Sequence, residues 1–371
     1  MATQISNYQC PACTGPLRFD GNTGRCECDF CGSSYDISEI EALYAQKDQK
    51  AEESFEAAAS REPGGEDWDL SGISQGWGED AAAMRAYTCP SCGAELICDQ
   101  STAATSCPYC GNPTIVPGQF ANDLKPDYVI PFRLSKEQAV ASMKQHYKGK
   151  RLLPNNFTQE NHVQEIKGVY VPFWLFDGEA QADMTFETTT SSTVVTNDKR
   201  ITTTRHFDVR RSGTVPFEKI PVDASSKMPD EYMDAIEPFD YSELKPFSRA
   251  YLPGFLADRY DVTVEDSANR ADLRAAESAV NTMRNTVQGY ESCVEKSRDV
   301  QLSRGKVHYA LMPVWMLSTQ YAGKNYLFAI NGQTGATVSN LPVDKGKYWR
   351  YFAGFAAAFG VVFGLLLRLF L

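Results

Sequence analysis

Histidine is scarce in this chain: His146, His162, His206 and His308 are the only four, and no two stand at a metal-sharing interval. That argues against the His-rich zinc centres that keep a position open for catalysis. No G-x4-G-K-[ST] occurs, so there is no phosphate-cradling NTPase loop, and no Ser or Cys nucleophile motif is present. These gaps predict a protein that is not an enzyme, with no catalytic residues to name. Met1–Asn7 has neither a basic nor an apolar signal region, so nothing directs the N-terminus out of the cytoplasm. Positive charge is also short, with 36 Lys and Arg against 47 Asp and Glu and a net charge of -11. Affinity for a phosphate backbone depends on Lys and Arg, and the stretch from Tyr87 to Val116 has none.

Cysteine, by contrast, is patterned. Cys10, Cys13, Cys28 and Cys31 read C-x2-C-x14-C-x2-C, and Cys89, Cys92, Cys107 and Cys110 repeat the same spacing. Each C-x2-C pair forms a knuckle, and two facing knuckles complete a tetrahedron of thiolates, the donor set zinc prefers. With all four positions filled by protein, two structural Zn2+ ions are expected, one per ribbon; a rubredoxin-like iron site is the alternative metal. Gly follows Cys31, Cys92 and Cys110, where the backbone must turn, whereas Thr14 follows Cys13. Cys26, Cys98 and Cys293 fall outside the pattern and read as packed thiols, with a redox-active neighbour or a substitute ligand as the other readings for Cys26.

Between the ribbons, residues 46–80 hold ten acids against three bases, an acidic tether. Residues 37–59 are rich in Glu and Ala and suit a helix, which Pro63-Gly64-Gly65 ends. Trp68, Ile73 and Trp77 are expected to fold back on the second ribbon, with a partner's surface as the alternative. The expected organisation is a ribbon at 1–36, an acidic helix and linker at 37–84, a second ribbon at 85–116, and an α+β body at 117–343. A basic flank and tail anchor follow at 344–371.

In the body, a strand is predicted at Tyr128–Phe132 and a helix over 135–147 capped by Ser135. Gly168–Phe176 reads as a buried strand, continued by a long hairpin over 182–196 and 199–211. A long helix is expected over 266–296, with Leu273, Ala276, Val280, Met283, Val287, Tyr290 and Val294 as its apolar seam. That seam, covering 273–294, packs on an antiparallel sheet or pairs with a second chain. Further strands are expected at 307–320, 325–331 and 336–338.

From Tyr351 to Leu367 the chain carries no charge. About 20 apolar residues make a helix of roughly 30 Å, the thickness of a hydrocarbon core, so residues 351–371 are expected to span a membrane. Lys345, Lys347 and Arg350 before it leave the bulk of the chain on the cytoplasmic side. Gly360 and Gly364 form a G-x3-G row that suits close helix pairing in a homo-oligomer.

The paired ribbons, Gly168–Phe176, Tyr309–Leu317, Tyr326–Gly335, Leu341–Lys347 and the apolar tail together resemble bacterial membrane-anchored double zinc-ribbon proteins. Such proteins are often labelled as transcription factor IIB-type zinc ribbons or as relatives of the primosomal helicase. The resemblance implies a multidomain fold with two ribbons, a central α+β body and one transmembrane helix at the bacterial inner membrane. The expected function is a membrane-anchored cytoplasmic adaptor that binds protein partners. A tethered nucleic-acid-binding ribbon protein is the alternative, disfavoured by charge.

Overall fold

The computed structural model describes residues 10–11, 17–20, 23, 25–28, 32–40, 42–43, 67–73, 76–100, 102, 106–112, 115–118, 124–154, 166–196, 199–321 and 324–370. The first ribbon contributes three strands, β1 (Leu17–Asp20), β2 (Arg25–Cys28) and β3 (Ser34–Tyr35), paired antiparallel in that order. Helix is described at residues 37–40 and 42–43, and the rest of the expected acidic helix lies outside the described residues.

The remaining strands are β4 (Met84–Thr88), β5 (Glu95–Asp99), β6 (Val116–Gly118), β7 (Tyr128–Val129), β8 (Lys167–Thr196) and β9 (Lys199–Asp223). They continue with β10 (Lys245–Pro246), β11 (Leu256–Asp258), β12 (Ser292–Tyr321), β13 (Lys324–Asn331) and β14 (Thr337–Ser339). They join one 11-stranded sheet with the path β10-β7-β12-β8-β11-β5-β4-β6, β13 and β14 branching from β12 and β9 from β8. The expected antiparallel sheet is corrected here to a mixed one. β11 runs parallel to β8, with Leu256 beside Val169, and β12 runs parallel to β7, with Ala310 beside Tyr128. Parallel neighbours need long connections, and these pairs are separated by enough chain to return over the sheet.

The chain divides into two compact units, residues 1–69, 176–220 and 269–306 in one, and 70–175, 221–268 and 307–371 in the other. In the second unit, Val169, Val171, Phe173 and Leu175 of β8 share a cluster with Leu96, Met312, Val314 and Met316. Tyr170 and Trp174, on the opposite face by strand alternation, are buried too. Burial on both faces explains why this stretch is an unbroken apolar run. A second cluster is closed by helix α1 (Lys136–Tyr147), whose Ala139 and Met143 meet Trp315, Leu317, Phe328 and Ile330. The Ser135 hydroxyl accepts from Gln138 N and the Gln138 side chain accepts from Ser135 N, a reciprocal cap. Trp77 is buried edge-on to Phe247, so it packs within the chain, on the body. A short helix α2 (Asp230–Ile236) adds Met233 and Ile236 to the larger cluster.

In the first unit, Ala180, Ala182, Met184 and Phe186 alternate toward one face of β8 and are buried. Helix α3 (Val264–Asn285) covers that face through Ala275, Ala279, Val280 and Met283. The helix is shorter than the expected 266–296 and its buried face is turned. Gly289 sits at φ +85° and Ser292 already begins β12, so Val294 and Cys293 are strand residues. Leu273 is 69% exposed and Val294 63%, while Ala271, Ala275 and Ala279, four apart, are buried. Val280 and Met283 of the expected seam are buried, so the seam holds there and fails at Leu273 and Val294; around Leu273 the buried row runs through small residues that let the helix approach large sheet side chains. Trp68 packs edge-on to Phe176 at 4.7 Å.

The last helix, α4, spans Lys345–Phe370. The expected transmembrane helix is overturned: among the described residues, no helix is long and apolar enough to cross a membrane. Lys345, Lys347 and Arg350 lie inside α4 rather than before it. The uncharged stretch from Tyr351 to Leu367 is about 26 Å long at 1.5 Å per residue, short of a hydrocarbon core of roughly 30 Å. The single-pass placement at a bacterial inner membrane falls with it.

Candidate metal centre

Strand β4 delivers Cys89 into a tight turn that feeds β5. Gly93 N donates to Cys89 O at 2.9 Å, Cys89 N donates to Ala94 O at 2.9 Å, and Gly93 takes φ +70°. The second knuckle repeats this: Gly111 N donates to Cys107 O at 3.1 Å, Cys107 N donates to Asn112 O at 2.9 Å, and φ of Gly111 is +73°. A Cβ is disfavoured at such φ, which is why glycine follows the second cysteine of each pair. The two turns bring the sulfurs of Cys89, Cys92, Cys107 and Cys110 within 4.8 Å of one another. Cys89 Sγ lies 3.6 Å from Cys110 Sγ, and Cys92 Sγ lies 3.6 Å from Cys107 Sγ. Four sulfurs at these separations suit the edges of a tetrahedron around one metal ion.

Burial raises the Cys92 thiol to about 11 and pushes Cys107 well up. At Cys89 burial also acts upward, but the backbone N–H groups of Cys92 and Ser91 and the Cys110 thiol outweigh it and bring the group down to about 7. Buried thiols held this close need a cation to lose their protons together, and a divalent metal supplies that charge.

The centre is part of the second unit's main core. Cys89, Ala94, Leu96, Cys98, Cys107 and Tyr109 belong to the cluster of Phe173, Met312 and Val314. β5 pairs antiparallel with β11, Leu96 beside Asp258. The Lys167 ammonium donates to the Ser106 carbonyl at 2.7 Å and also to the Ser106 hydroxyl. Arg259 of the strand's end pairs with Glu95.

Sequence reading missed a polar group behind the second knuckle. Tyr109, between two of the cysteines, donates its hydroxyl to Asp258 Oδ2 at 2.6 Å, and Ser225 Oγ donates to the same oxygen at 2.6 Å. All three residues are buried. Burial lifts the Asp258 carboxyl to about 7, against the pull of its two hydroxyl donors. An acid after two apolar residues in Leu256-Ala257-Asp258 was the available signal, and it named no partner.

In the first ribbon, Cys13 and Cys31 lie outside the described residues. Cys10 and Cys28 are both buried, and Cys10 Sγ lies 3.7 Å from the Tyr35 hydroxyl. Gly32 N donates to Cys28 O at 2.9 Å, Cys28 N donates to Ser33 O at 2.9 Å, and Gly32 has φ +73°. That is the knuckle geometry of Cys89 and Cys107. Cys26 is buried on β2 beside Tyr35, and Cys98 donates to Thr102 O at 3.1 Å, its thiol raised by burial to about 11.

The three histidines among the described residues do not gather. His146 lies 3.0 Å from Ser339 Oγ, His206 3.3 Å from Glu187, and His308 stands edge-on to Tyr128, while His162 lies outside the described residues.

Fold and site together define a mixed-sheet protein with a four-cysteine cluster in its core that could hold one metal ion. The chain is 33% identical over 319 residues to "Uncharacterized protein YdjG" of Bacillus subtilis (strain 168), covering 73% of this chain and 94% of that protein. It belongs to the family of that protein. No protein-family model matches the chain, and no solved structure matches it.

Proposed function

We propose that this protein is a zinc-stabilised scaffold that binds protein partners, with one structural Zn2+ in each four-cysteine set. The convergence of Cys89, Cys92, Cys107 and Cys110 within 4.8 Å carries the reading, because four protein thiols leave no position for a substrate or an activated water. The shared knuckle geometry at Cys28–Ser33 supports a second site formed by Cys10, Cys13, Cys28 and Cys31. Charge favours protein over nucleic acid, since the second ribbon from Tyr87 to Val116 has no cation and each Zn(Cys)4 centre adds negative charge.

Elemental analysis of the purified chain should find zinc in a ratio of two per chain, and Cys89→Ser/Cys107→Ser should leave one. Crosslinking of the full chain in its own cells should then recover a defined protein set that the zinc-depleted variant loses. Iron in place of zinc would overturn the metal assignment. Salt-sensitive binding of DNA or RNA, with no protein crosslinks, would overturn the choice of partner.

A further inference from the structure

Among the described residues, the hairpin of β8 and β9 outruns the elements that cover it. Glu291 N donates to Thr189 O at 2.8 Å and Ser292 Oγ lies 2.5 Å from Thr189 Oγ, which marks where β12 begins beside β8. Beyond Thr189, residues 190–196 have β9 as their strand neighbour among the described residues. The face that α3 covers at Met184 and Phe186 is last touched by Tyr290 against Phe207 at 5.7 Å. What projects past these points is a two-stranded ribbon about 20 Å long at 3.3 Å per residue. Such a ribbon is marginal in water on its own.

Its surface is specific. Ser191 meets Thr204 at 3.1 Å and Thr193 meets Thr202 at 3.0 Å, so these four share one face. By alternation Val194, Lys199, Ile201 and Arg205 share the other, and Arg200 lies with the Ser and Thr pairs. Val194 is 63% exposed and Ile201 55%. Nearer the core Arg210 pairs with Asp183, Asp208 of the hairpin pairs with Lys296 of β12, and Arg211 donates to Thr286. Lys199, Arg200 and Arg205 have no carboxylate partner among the described residues, and all three are exposed. β9 pairs with β8 and with no other strand among the described residues, so its outer row of N–H and C=O groups is open.

We propose that the outer edge of β9 at residues 199–205 accepts an extended acidic polypeptide segment as an added strand. This rests on the scaffold reading above and names the surface and the partner's chemistry. Backbone groups would pair along the edge, and carboxylates would meet Lys199 and Arg205 on one face and Arg200 on the other. Cations on both faces distinguish this from a flat polyanion or headgroup layer, which would engage one face. A second copy of the same strand fits poorly, because fully overlapped antiparallel pairing sets Lys199 opposite Arg205, a repulsive pair.

The probe is a labelled synthetic peptide of repeated Glu-Glu-Val-Thr, added to the full zinc-loaded chain. Binding should protect the amides of residues 199–205 from hydrogen exchange. The variant K199E/R200E/R205E, checked for retained zinc, should bind at least about tenfold more weakly. The same peptide N-methylated at alternate residues keeps its charge but cannot complete the edge, and should fail to bind. Equal binding of the methylated peptide, or absence of protection at 199–205, overturns the proposal. Protection of those amides by phosphatidylserine vesicles and not by peptide would overturn it in favour of a lipid contact. If peptide binding fails while zinc-dependent protein crosslinks persist, the edge proposal alone falls and the scaffold reading stands.

Discussion

Asp258 offers a sharp test of how the metal-centre knuckle is tied to the sheet. Its carboxyl is buried, accepts from Tyr109 and Ser225 at 2.6 Å each, and is raised to about 7. In an unfolded chain an Asp titrates near 3.9, so between about pH 4 and pH 7 the folded state holds a proton that the unfolded state has lost. The stability this gives is complete below the unfolded value and is lost as pH rises through about 7. Asp258→Asn keeps the shape and removes the titration. The variant should therefore gain on the wild type by about 1.4 kcal/mol per pH unit within this window, or about 2 kcal/mol from pH 5.5 to 7, and nothing further above it. Urea unfolding with excess zinc, followed by tryptophan fluorescence, reads this difference, since Trp174 and Trp315 are buried in the same unit. Thiolate protonation is common to both proteins and cancels in the difference. A flat difference across that range, or one of opposite slope, would refute the assignment of a buried, proton-holding Asp258.

Gly93→Ala forces a Cβ onto φ +70°, and should cost about 1 kcal/mol or more and speed zinc loss to a chelator. Elemental analysis after mild chelation checks it. Ser135→Ala removes the cap of α1 and should lower stability by about 1 kcal/mol in urea titrations. The corrected face of α3 separates two substitutions. Leu273→Ala, at a site 69% exposed, should change stability by less than about 0.5 kcal/mol. Ala275→Leu, at a buried site against the sheet, should cost about 1–3 kcal/mol by overpacking. Equal effects at the two positions would restore the seam through Leu273.

What the sequence exposed was local. The cysteine spacing fixes which sulfurs can meet, because two short turns and the hairpin between them decide it, and the four sulfurs of the second ribbon do meet. The Ser135 cap was legible for the same reason, with donor and acceptor three residues apart. Asp258 was not, since its partner Tyr109 lies 149 residues away and nothing local marks the pair. The parallel pairings of β8 with β11 and β7 with β12 are likewise choices of topology that strand patterns leave open. The face of α3 was legible at Val280 and Met283 but not at Leu273, because apolar bulk was counted, whereas close approach to Phe186 and Phe217 rewards alanine. At the C-terminus an uncharged run was read as a span, and the helix instead begins among the cations at Lys345 and Lys347.

The two ribbons share a motif but differ in what surrounds them. The second is not a detachable head: its first knuckle joins β4 to β5 and its second lies between β5 and β6, β5 pairs with β11, and β11 pairs with β8. Cys107 and Tyr109 pack in the cluster that holds Phe173 and Met312, so a metal ion there would brace the strands that build the second unit. Removing metal should therefore unsettle Trp174 and Trp315 along with the ribbon, where a hinged head would leave them undisturbed. A centre committed in this way to the core has little free surface for recognition. On the scaffold reading, recognition then belongs to surfaces such as the edge of β9, which among the described residues has no second strand neighbour and no carboxylate beside Lys199, Arg200 and Arg205.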